Sequence, residues 1–169
     1  MLKIYTDGGS RGNPGPGGFG VVLINDNKII YKYGKSFSND VTNNQMELCA
    51  ILHALDEIIS KNGEEKYIIY SDSAYCVNAC NNWIWTWSKN NWINSKKETV
   101  KNTDLMKRLW KYISAPFPNF QILKCAGHSG IIGNELADAL ATSNEAKYEK
   151  ILKENNIKDI EKENLLISF

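Results

Sequence analysis

Residues 2–18 of the chain read LKIYTDGGSRGNPGPGG, an alternating apolar run that ends in Asp7 and is followed by glycines and prolines. The alternation over residues 2–6 predicts a half-buried strand. A second apolar run, over residues 67–70, is soon followed by Asp72. Because open sheets place ligands beyond the ends of their strands, these two acidic residues predict a site at one edge of a sheet.

Further strands and helices are predicted around these two runs from the spacing of apolar residues. The glycines and prolines predict a loop over residues 10–18. Strands are predicted over residues 19–24, 28–33 and 120–124, and helices over residues 44–60, 73–81, 103–114 and 133–143. The order βββαβααβα indicates an α/β protein with a mixed sheet and helices on its faces.

The composition is that of an ordinary globular domain. The 169 residues are 43% hydrophobic and 23% charged, which suits one domain with a real core. No segment approaches the roughly 18 consecutive apolar residues of a membrane span, and the first residues lack the architecture of a signal peptide. We therefore expect a cytoplasmic protein with no membrane partner, and we expect it to be a monomer.

Charge is unevenly distributed along the chain. Residues 86–112 carry seven positive and two negative side chains, a local charge of +5, whereas the whole chain has a net charge of +1. A basic patch on a nearly neutral protein predicts an anionic partner bound in one place. A solvated helical face is an equally good explanation of this pattern.

The cysteines and the C-terminal residues each support a structural prediction. The four cysteines have no C-x-x-C spacing, so they are expected to be reduced and to pack as small hydrophobic residues. Residues 145–169 mix lysine and glutamate with spaced apolar side chains and end in LLISF. This extension is predicted to be an amphipathic helix folded onto the domain, with a partner-binding tail as the alternative.

Four acidic residues are the candidate catalytic groups, and each has a structural alternative. Asp7 could bond its own backbone in a turn, and Asp72 could cap a helix. Glu47 could complete a capping box with Asn44, although it begins the apolar stripe of its helix, where an unpaired charge is costly. Asp138 could simply be a solvated residue on a helix.

Convergence of these four carboxylates would require cations. Oxygen ligands suit Mg²⁺ or Mn²⁺ rather than zinc. Two such ions about 4 Å apart can activate a water molecule and stabilise the leaving oxygen of a phosphoryl displacement. The sequence offers no Ser–His–Asp or Cys–His pair, and residues 12–18 lack the Gly-Lys-Ser/Thr ending of a phosphate-binding P-loop.

Four motifs, taken in order, resemble those of type 1 ribonuclease H. They are YTDGGSRGNPGPGG at residues 5–18, TNNQMEL at residues 42–48, SDS at residues 71–73, and GHSG at residues 127–130 followed by Asn134, Glu135 and Asp138. The resemblance runs from residue 1 to about residue 144. It implies a ribonuclease H-like α/β fold, with a mixed five-stranded sheet flanked by helices and a catalytic domain over residues 1–144.

The resemblance also implies an activity and a site. Asp7, Glu47, Asp72 and Asp138 would hold two Mg²⁺ ions, for which Mn²⁺ could substitute, and Asp7 would bridge them. His128, on a loop between glycines, would assist proton handling or product departure. The enzyme would be an endonuclease that hydrolyses the RNA strand of an RNA–DNA hybrid and leaves 3′-hydroxyl and 5′-phosphate ends.

Binding of the hybrid is implied by a second set of residues. Asn13, Asn43 and Asn44 would reach the minor groove, Thr42 and Asn102 would bind a DNA phosphate, Trp83 would lie against DNA sugars, and Lys89 would belong to a basic protrusion. Short amides can read a groove that exposes 2′-hydroxyls with little dependence on sequence. The protrusion is less basic than in other members, which predicts weaker binding with a flatter salt dependence.

Two other functions remain open from the sequence. The first is a hybrid-binding module that has lost catalysis, which the presence of all four acids and His128 disfavours. The second is another nuclease of the same fold, such as a transposase or junction resolvase, which would prefer DNA. A test of cleavage on a panel of substrates would separate these functions.

Overall fold

The computed structural model describes residues 1–160, which form a five-stranded sheet with the strand order β3-β2-β1-β4-β5. The strands are β1 (Leu2–Ser10), β2 (Gly15–Asn25), β3 (Lys28–Val41), β4 (Tyr67–Ser71) and β5 (Phe120–Lys124). The first three strands pair antiparallel, whereas β4 runs parallel to both β1 and β5. The predicted mixed five-stranded sheet is confirmed.

The first three strands are longer than the sequence predicted. β1 continues to Ser10 and β2 begins at Gly15, so only residues 11–14 of the predicted loop lie outside the strands. The extra length comes from backbone pairing of Gly9 with Gly18 and of Ser10 with Gly17. Backbone hydrogen bonds require no apolar side chains, so hydrophobic alternation could not reveal this extension.

The helices lie close to the predicted positions. They are α1 (Asn43–Ala54), α2 (Ala74–Asn78), α3 (Ile84–Lys89), α4 (Thr103–Ile113), α5 (Ile132–Ala141) and α6 (Glu145–Glu154). A π-helical turn, Leu55–Ile59, extends α1, and another, Ala79–Trp83, joins α2 to α3. α3 falls in a tryptophan-rich segment, residues 83–92, which holds four tryptophans and for which no helix or strand was predicted.

The start of α1 corrects one of the sequence-based alternatives. Its N-cap is Thr42, whose side chain accepts a hydrogen bond from the backbone N–H of Gln45 at 3.1 Å. The Gln45 side chain in turn accepts from the backbone N–H of Thr42 at 3.3 Å. Because this pair forms the capping box, Asn44 is not the cap, and Glu47 is left for other partners.

Two hydrophobic clusters cover the two faces of the sheet. The larger one includes Ile4, Ile51 and Ile69, and it packs α1 against the sheet. The smaller one packs α5 and α6 on the other face through residues that include Val22 and Leu136. The two layers therefore bring α1 and α5 to opposite faces of the same central strands.

Close approach of α5 to the sheet depends on a glycine in β2. A methyl group on Gly20 would lie 2.3 Å from the carbonyl oxygen of Ala137 and 2.8 Å from the backbone nitrogen of Ala141. Neither backbone atom can move without shifting the helix, so only glycine permits this packing. The contact therefore sets the distance from the sheet of Asp138, the next residue along α5.

The residues after α5 pack onto the domain. The backbone of Lys158 accepts from Ile29 at 2.8 Å and donates to Asn27 at 2.9 Å, beside the edge strand β3. The Asp159 carboxylate accepts from Lys32 at 2.8 Å and from Tyr148 at 3.0 Å. The division of the chain at residue 144 stays a prediction, and the terminal LLISF lies outside the described residues.

The four cysteines are free thiols, and three of them are buried. Burial raises the pKa of Cys76 and of Cys80 to about 12, so both side chains stay neutral and pack as small hydrophobic groups. Within residues 1–160, no helix combines the length and apolar character that a crossing of the bilayer requires.

Candidate active site

Three acidic side chains from distant parts of the chain meet at one edge of the sheet. Asp7 lies in β1, Glu47 in the second turn of α1, and Asp72 immediately after β4. One carboxylate oxygen from each lies within 4.8 Å of the others. Asp138, from α5, lines the same groove and lies close enough to Asp7 for the two carboxylates to influence each other's pKa. The structure therefore brings together all four predicted carboxylates, which we call the acidic quartet.

Asp7 and Asp72 are neighbours because their strands are parallel and in register. Thr6 of β1 pairs with Ser71 of β4. An aspartate follows each of these residues, so the two carboxylates lie side by side where the pairing of β1 with β4 ends, although β1 itself continues to Ser10.

Glu47 is fixed by two hydrogen bonds from outside its own helix. Its Oε1 accepts from the backbone N–H of Gly8 at 2.6 Å, and its Oε2 accepts from the hydroxyl of Ser71 at 3.1 Å. These contacts hold α1 to β1 and β4, and Glu47 makes them in place of the capping contact that was its structural alternative.

Electrostatic repulsion within the quartet is strong in the absence of cations. Burial, followed by the nearby charges of Glu47 and Asp72, raises the pKa of Asp7 far above its usual range. Burial also raises the pKa of Glu47 and of Asp72. A buried group of carboxylates that resists ionisation is well suited to a hard divalent cation, which would stabilise the charged form.

Asp138 differs from the other three because it has a cationic partner. Lys147 of α6 donates to Asp138 Oδ2 at 2.6 Å and also lies 2.9 Å from Glu135 Oε2. Partial burial opposes ionisation of Asp138, but the hydrogen bonds with Lys147 and Asp7 outweigh it and lower the pKa of Asp138. The quartet thus contains one carboxylate that ionises readily.

His128 lies on the loop between β5 and α5, beside the quartet. Its side chain is exposed, its backbone adopts φ +50°, and its charge acts on Asp72. The preceding residue, Gly127, permits the close approach, since a methyl group there would lie 2.7 Å from Asp72 Oδ2. His53, in contrast, is half-buried in α1, where it stacks on Tyr33 at 4.0 Å between ring centroids.

The quartet and His128 line an open groove of about 560 Å³. Ser10, Arg11 and Ser143 also line this groove. Its size and polarity suit an extended polar substrate rather than a small apolar molecule.

A second groove, of about 570 Å³, lies in the tryptophan-rich and basic region. Trp83, Trp87, Lys96 and Lys101 are among its lining residues. The Trp83 side chain is 40% exposed, and its ring packs against those of Tyr75 and Trp87. An exposed ring beside two lysines could contact a sugar–phosphate backbone.

The remaining candidate substrate-binding residues lie in two places, beside the start of α1 and immediately before α4. Asn13 Oδ1 accepts from the backbone N–H of Asn43, whose own Oδ1 accepts from the backbone N–H of Ser10 at 2.8 Å. These amides are therefore held beside the start of α1, where Asn44 is exposed. Asn102 precedes α4 in the left-handed conformation with φ +57°.

Some residues at the site were missed from the sequence, and one predicted binding residue lies outside both grooves. Lys89 is exposed at the end of α3, but it does not line either groove. Ser71 was noted only as part of the SDS motif at residues 71–73, although its position in register with Thr6 could have revealed its place at the site. No pattern in the sequence pointed to Lys147, because its partner Asp138 lies on a different helix. Trp85, which had no assigned role, packs edge-on against Trp110.

Comparison with known proteins identifies the family. A family model described as RNase H matches residues 1–146. The ribonuclease H of Orientia tsutsugamushi (strain Boryong) is 42% identical over 154 residues, which cover 91% of this chain and 88% of that protein. The ribonuclease H of Caldicellulosiruptor saccharolyticus is 45% identical over 143 residues, which cover 84% of this chain and 94% of that protein.

Solved structures agree with the fold. LC9-RNase H1, described as a type 1 RNase H with the type 2 active-site motif, superposes with a TM-score of 0.72 at 22% identity, covering 94% of this chain and 86% of that one. LC11-RNase H1, solved in complex with an RNA/DNA hybrid, superposes with a TM-score of 0.60 at 25% identity, covering 85% and 95%. With its acidic quartet, its fold and these relatives, the chain belongs to the RNase H family and is a ribonuclease.

Proposed function

We propose that this ribonuclease cuts the RNA strand of RNA–DNA hybrids internally, with two divalent cations held by the acidic quartet. The observation that carries the proposal is the convergence of Asp7, Glu47 and Asp72 within 4.8 Å, in a groove that Asp138 also lines. A set of ligands that are all oxygen atoms, and whose negative charges repel one another, favours Mg²⁺, with Mn²⁺ as a substitute.

The residues would divide the work according to their positions. Asp7 is the expected bridging ligand, because its side chain interacts with the other three. When bound, the two ions would supply an activated water and stabilise the departing oxygen of an in-line displacement. Gly8 and Ser71 would hold Glu47 in place throughout.

The chemical outcome follows from the bond that breaks. The water oxygen forms a bond to phosphorus while the bond from phosphorus to the 3′ oxygen breaks, and the products carry a 3′-hydroxyl and a 5′-phosphate. His128 is the expected proton carrier, since its side chain is exposed and lines the groove beside Asp72.

A hybrid is the substrate best supported by the two grooves and the relatives. LC11-RNase H1 was solved with an RNA/DNA hybrid. In this chain the clustered amides of Asn13 and Asn43 could read 2′-hydroxyls beside the quartet, together with the exposed Asn44. Trp83 and the lysines of the second groove could contact the DNA strand along its length. Thr42 and Asn102 would donate hydrogen bonds to a phosphate of that strand.

The test is a cleavage assay with Mg²⁺ on a panel of labelled substrates. The wild-type protein should cut RNA only in the hybrid and leave a 3′-hydroxyl. Asp72→Asn should abolish cleavage while retaining hybrid binding, whereas Asp26→Asn, in an exposed turn between β2 and β3, should match the wild type. Intact RNA, or equal cutting of double-stranded DNA, would refute the proposal.

The expected monomer and cytoplasmic location remain predictions. Light scattering on the purified protein tests the first of them, since a dimer would give twice the mass of 19.1 kDa.

A further inference from the structure

Helix α6 brings a lysine from outside the family motifs to the acidic quartet. Lys147 donates to Asp138 Oδ2 at 2.6 Å and lies 2.9 Å from Glu135 Oε2. The ammonium group is only partly exposed, at 29% for the side chain, as are both carboxylates at 21%. Ion pairs shielded to this degree are screened less by salt than pairs at an open surface.

The position of Lys147 is held by its own helix. The Asn144 side chain caps α6 by accepting from the backbone N–H of Lys147 at 3.0 Å. Tyr148, the next residue, and Leu152 are both buried against α5 and β2. The lysine therefore sits on an anchored first turn, and its charge is directed to α5 by the fold.

The contact has two consequences for Asp138. Lys147 occupies one oxygen of the carboxylate, and a carboxylate can bind a cation through its other oxygen. The ammonium also offsets part of the negative charge that would attract a divalent ion. Both effects act on a carboxylate that lines the same groove as Asp7, Glu47 and Asp72.

We propose that Lys147 is a positioning residue that shares Asp138 with the bound cation, orienting the carboxylate and moderating the affinity for metal. This inference rests on the proposed two-metal function. It assigns to α6 a role in the active site in addition to packing. Weaker binding allows a bound cation to exchange with the solution, and the hydrogen bond from Lys147 keeps the Asp138 carboxylate in one orientation.

The closing experiment measures Mg²⁺ binding to the full chain by calorimetry, without substrate. Lys147→Gln removes the charge but keeps hydrogen-bond donors, and Lys147→Met removes both. Both variants should bind Mg²⁺ about three- to tenfold more tightly than the wild type, the effect of one partly screened charge a few ångströms away. Lys147→Arg, which keeps the charge, should stay within about twofold.

Lys150→Met is the matched control, since Lys150 lies on the same helix but is 73% exposed and pairs with Glu154. It should leave Mg²⁺ binding unchanged. A purely structural role for Lys147 predicts the opposite sign, because a loosened site binds metal more weakly. Equal or weaker Mg²⁺ binding by both Lys147→Gln and Lys147→Met would therefore overturn the inference.

A second readout tests the orienting role. At saturating Mg²⁺, kcat on a hybrid should fall in the order wild type, Lys147→Gln, Lys147→Met, with KM for the hybrid nearly constant. Equal kcat values for all three proteins would remove the orienting role. Failure of the wild-type protein to bind Mg²⁺ at all would instead refute the proposed function, so the two failures are distinguishable.

Discussion

The N–H of Gly8 in β1 donates to Glu47 Oε1 in α1 at 2.6 Å, and this bond joins two elements that are 39 residues apart in the chain. It is possible only because residue 8 has no side chain. A methyl group there would lie 2.3 Å from the carbonyl carbon of Met46 and 2.6 Å from the backbone nitrogen of Glu47. The glycine thus determines both the packing of α1 and the place of a carboxylate of the acidic quartet.

Substitution of Gly8 by alanine should damage both stability and metal binding. The added methyl group would push α1 away from β1, at a cost of about 3 kcal/mol in the free energy of unfolding. Urea unfolding and Mg²⁺ calorimetry would measure the two effects. Gly9→Ala is the control, because its methyl group would meet only the Asn43 side chain at 3.7 Å. Equal stability of the two variants would contradict this account.

Substitution of Asp7 by asparagine should stabilise the metal-free protein at alkaline pH. The folded-state pKa of Asp7 is raised by burial and by Glu47 and Asp72, so the folded state holds a proton that the unfolded state releases above about pH 4. Stability therefore falls as the pH rises from about 4 toward the raised pKa. Removing the charge should recover several kcal/mol at pH 8 and only about 1 kcal/mol at pH 5, since each pH unit above about 4 costs roughly 1.4 kcal/mol.

The same variant should lose Mg²⁺ binding, so that stability and metal affinity change in opposite directions. Thermal unfolding in EDTA at the two pH values would give the first quantity, with Asp26→Asn as the control. A variant that is less stable than the wild type at pH 8 would show that repulsion within the quartet is minor.

Removal of the Ser71 hydroxyl should weaken the metal site without dismantling it. In Ser71→Ala, Glu47 Oε2 loses the donor at 3.1 Å, while Oε1 keeps its bond to Gly8. Supporting groups of this kind are worth about 10- to 100-fold in metal affinity or activity. Calorimetry with Mg²⁺ would measure the loss, and the exposed Ser129→Ala would serve as the control for affinity. Unchanged affinity in Ser71→Ala would mean that Gly8 alone is sufficient to orient Glu47.

Lys96 and Lys101 should contribute more to hybrid binding than Lys89. Both line the second groove beside Trp83, whereas Lys89 lies outside it. Each lost phosphate contact should reduce the slope of log K against log salt by about one. Titration of a hybrid at several salt concentrations, in Ca²⁺ to limit cleavage, would compare Lys101→Ala with Lys89→Ala. A larger change for Lys89→Ala would place the DNA strand outside this groove.

Much of the fold was predictable because strands and helices have their own local periodicities. The last strand, over residues 120–124, was predicted with the bounds that the structure shows. The β1–β2 hairpin was underestimated because its outer half is held by backbone bonds between glycines. α3 was missed because it is a six-residue helix, joined to α2 by a π-helical turn.

The resemblance of the motifs to those of a known family predicted four carboxylates and His128 as site residues, and the structure places all five in one groove. The partners of those residues could not be obtained in this way. Hydrogen bonds from Gly8 and Ser71 to Glu47 cross 39 and 24 residues of chain, and they depend on how closely α1 packs against the sheet.

The sequence by itself determined where the strands and most of the helices lie, which faces of the helices are apolar, and which carboxylates are candidates for metal binding. Only the tertiary structure decided that Lys147 binds Asp138 and that Lys96 and Lys101, rather than Lys89, line the groove beside Trp83. The physical reason is that backbone conformation follows from neighbouring residues, whereas a charge pair between two helices depends on the packing that sets their distance.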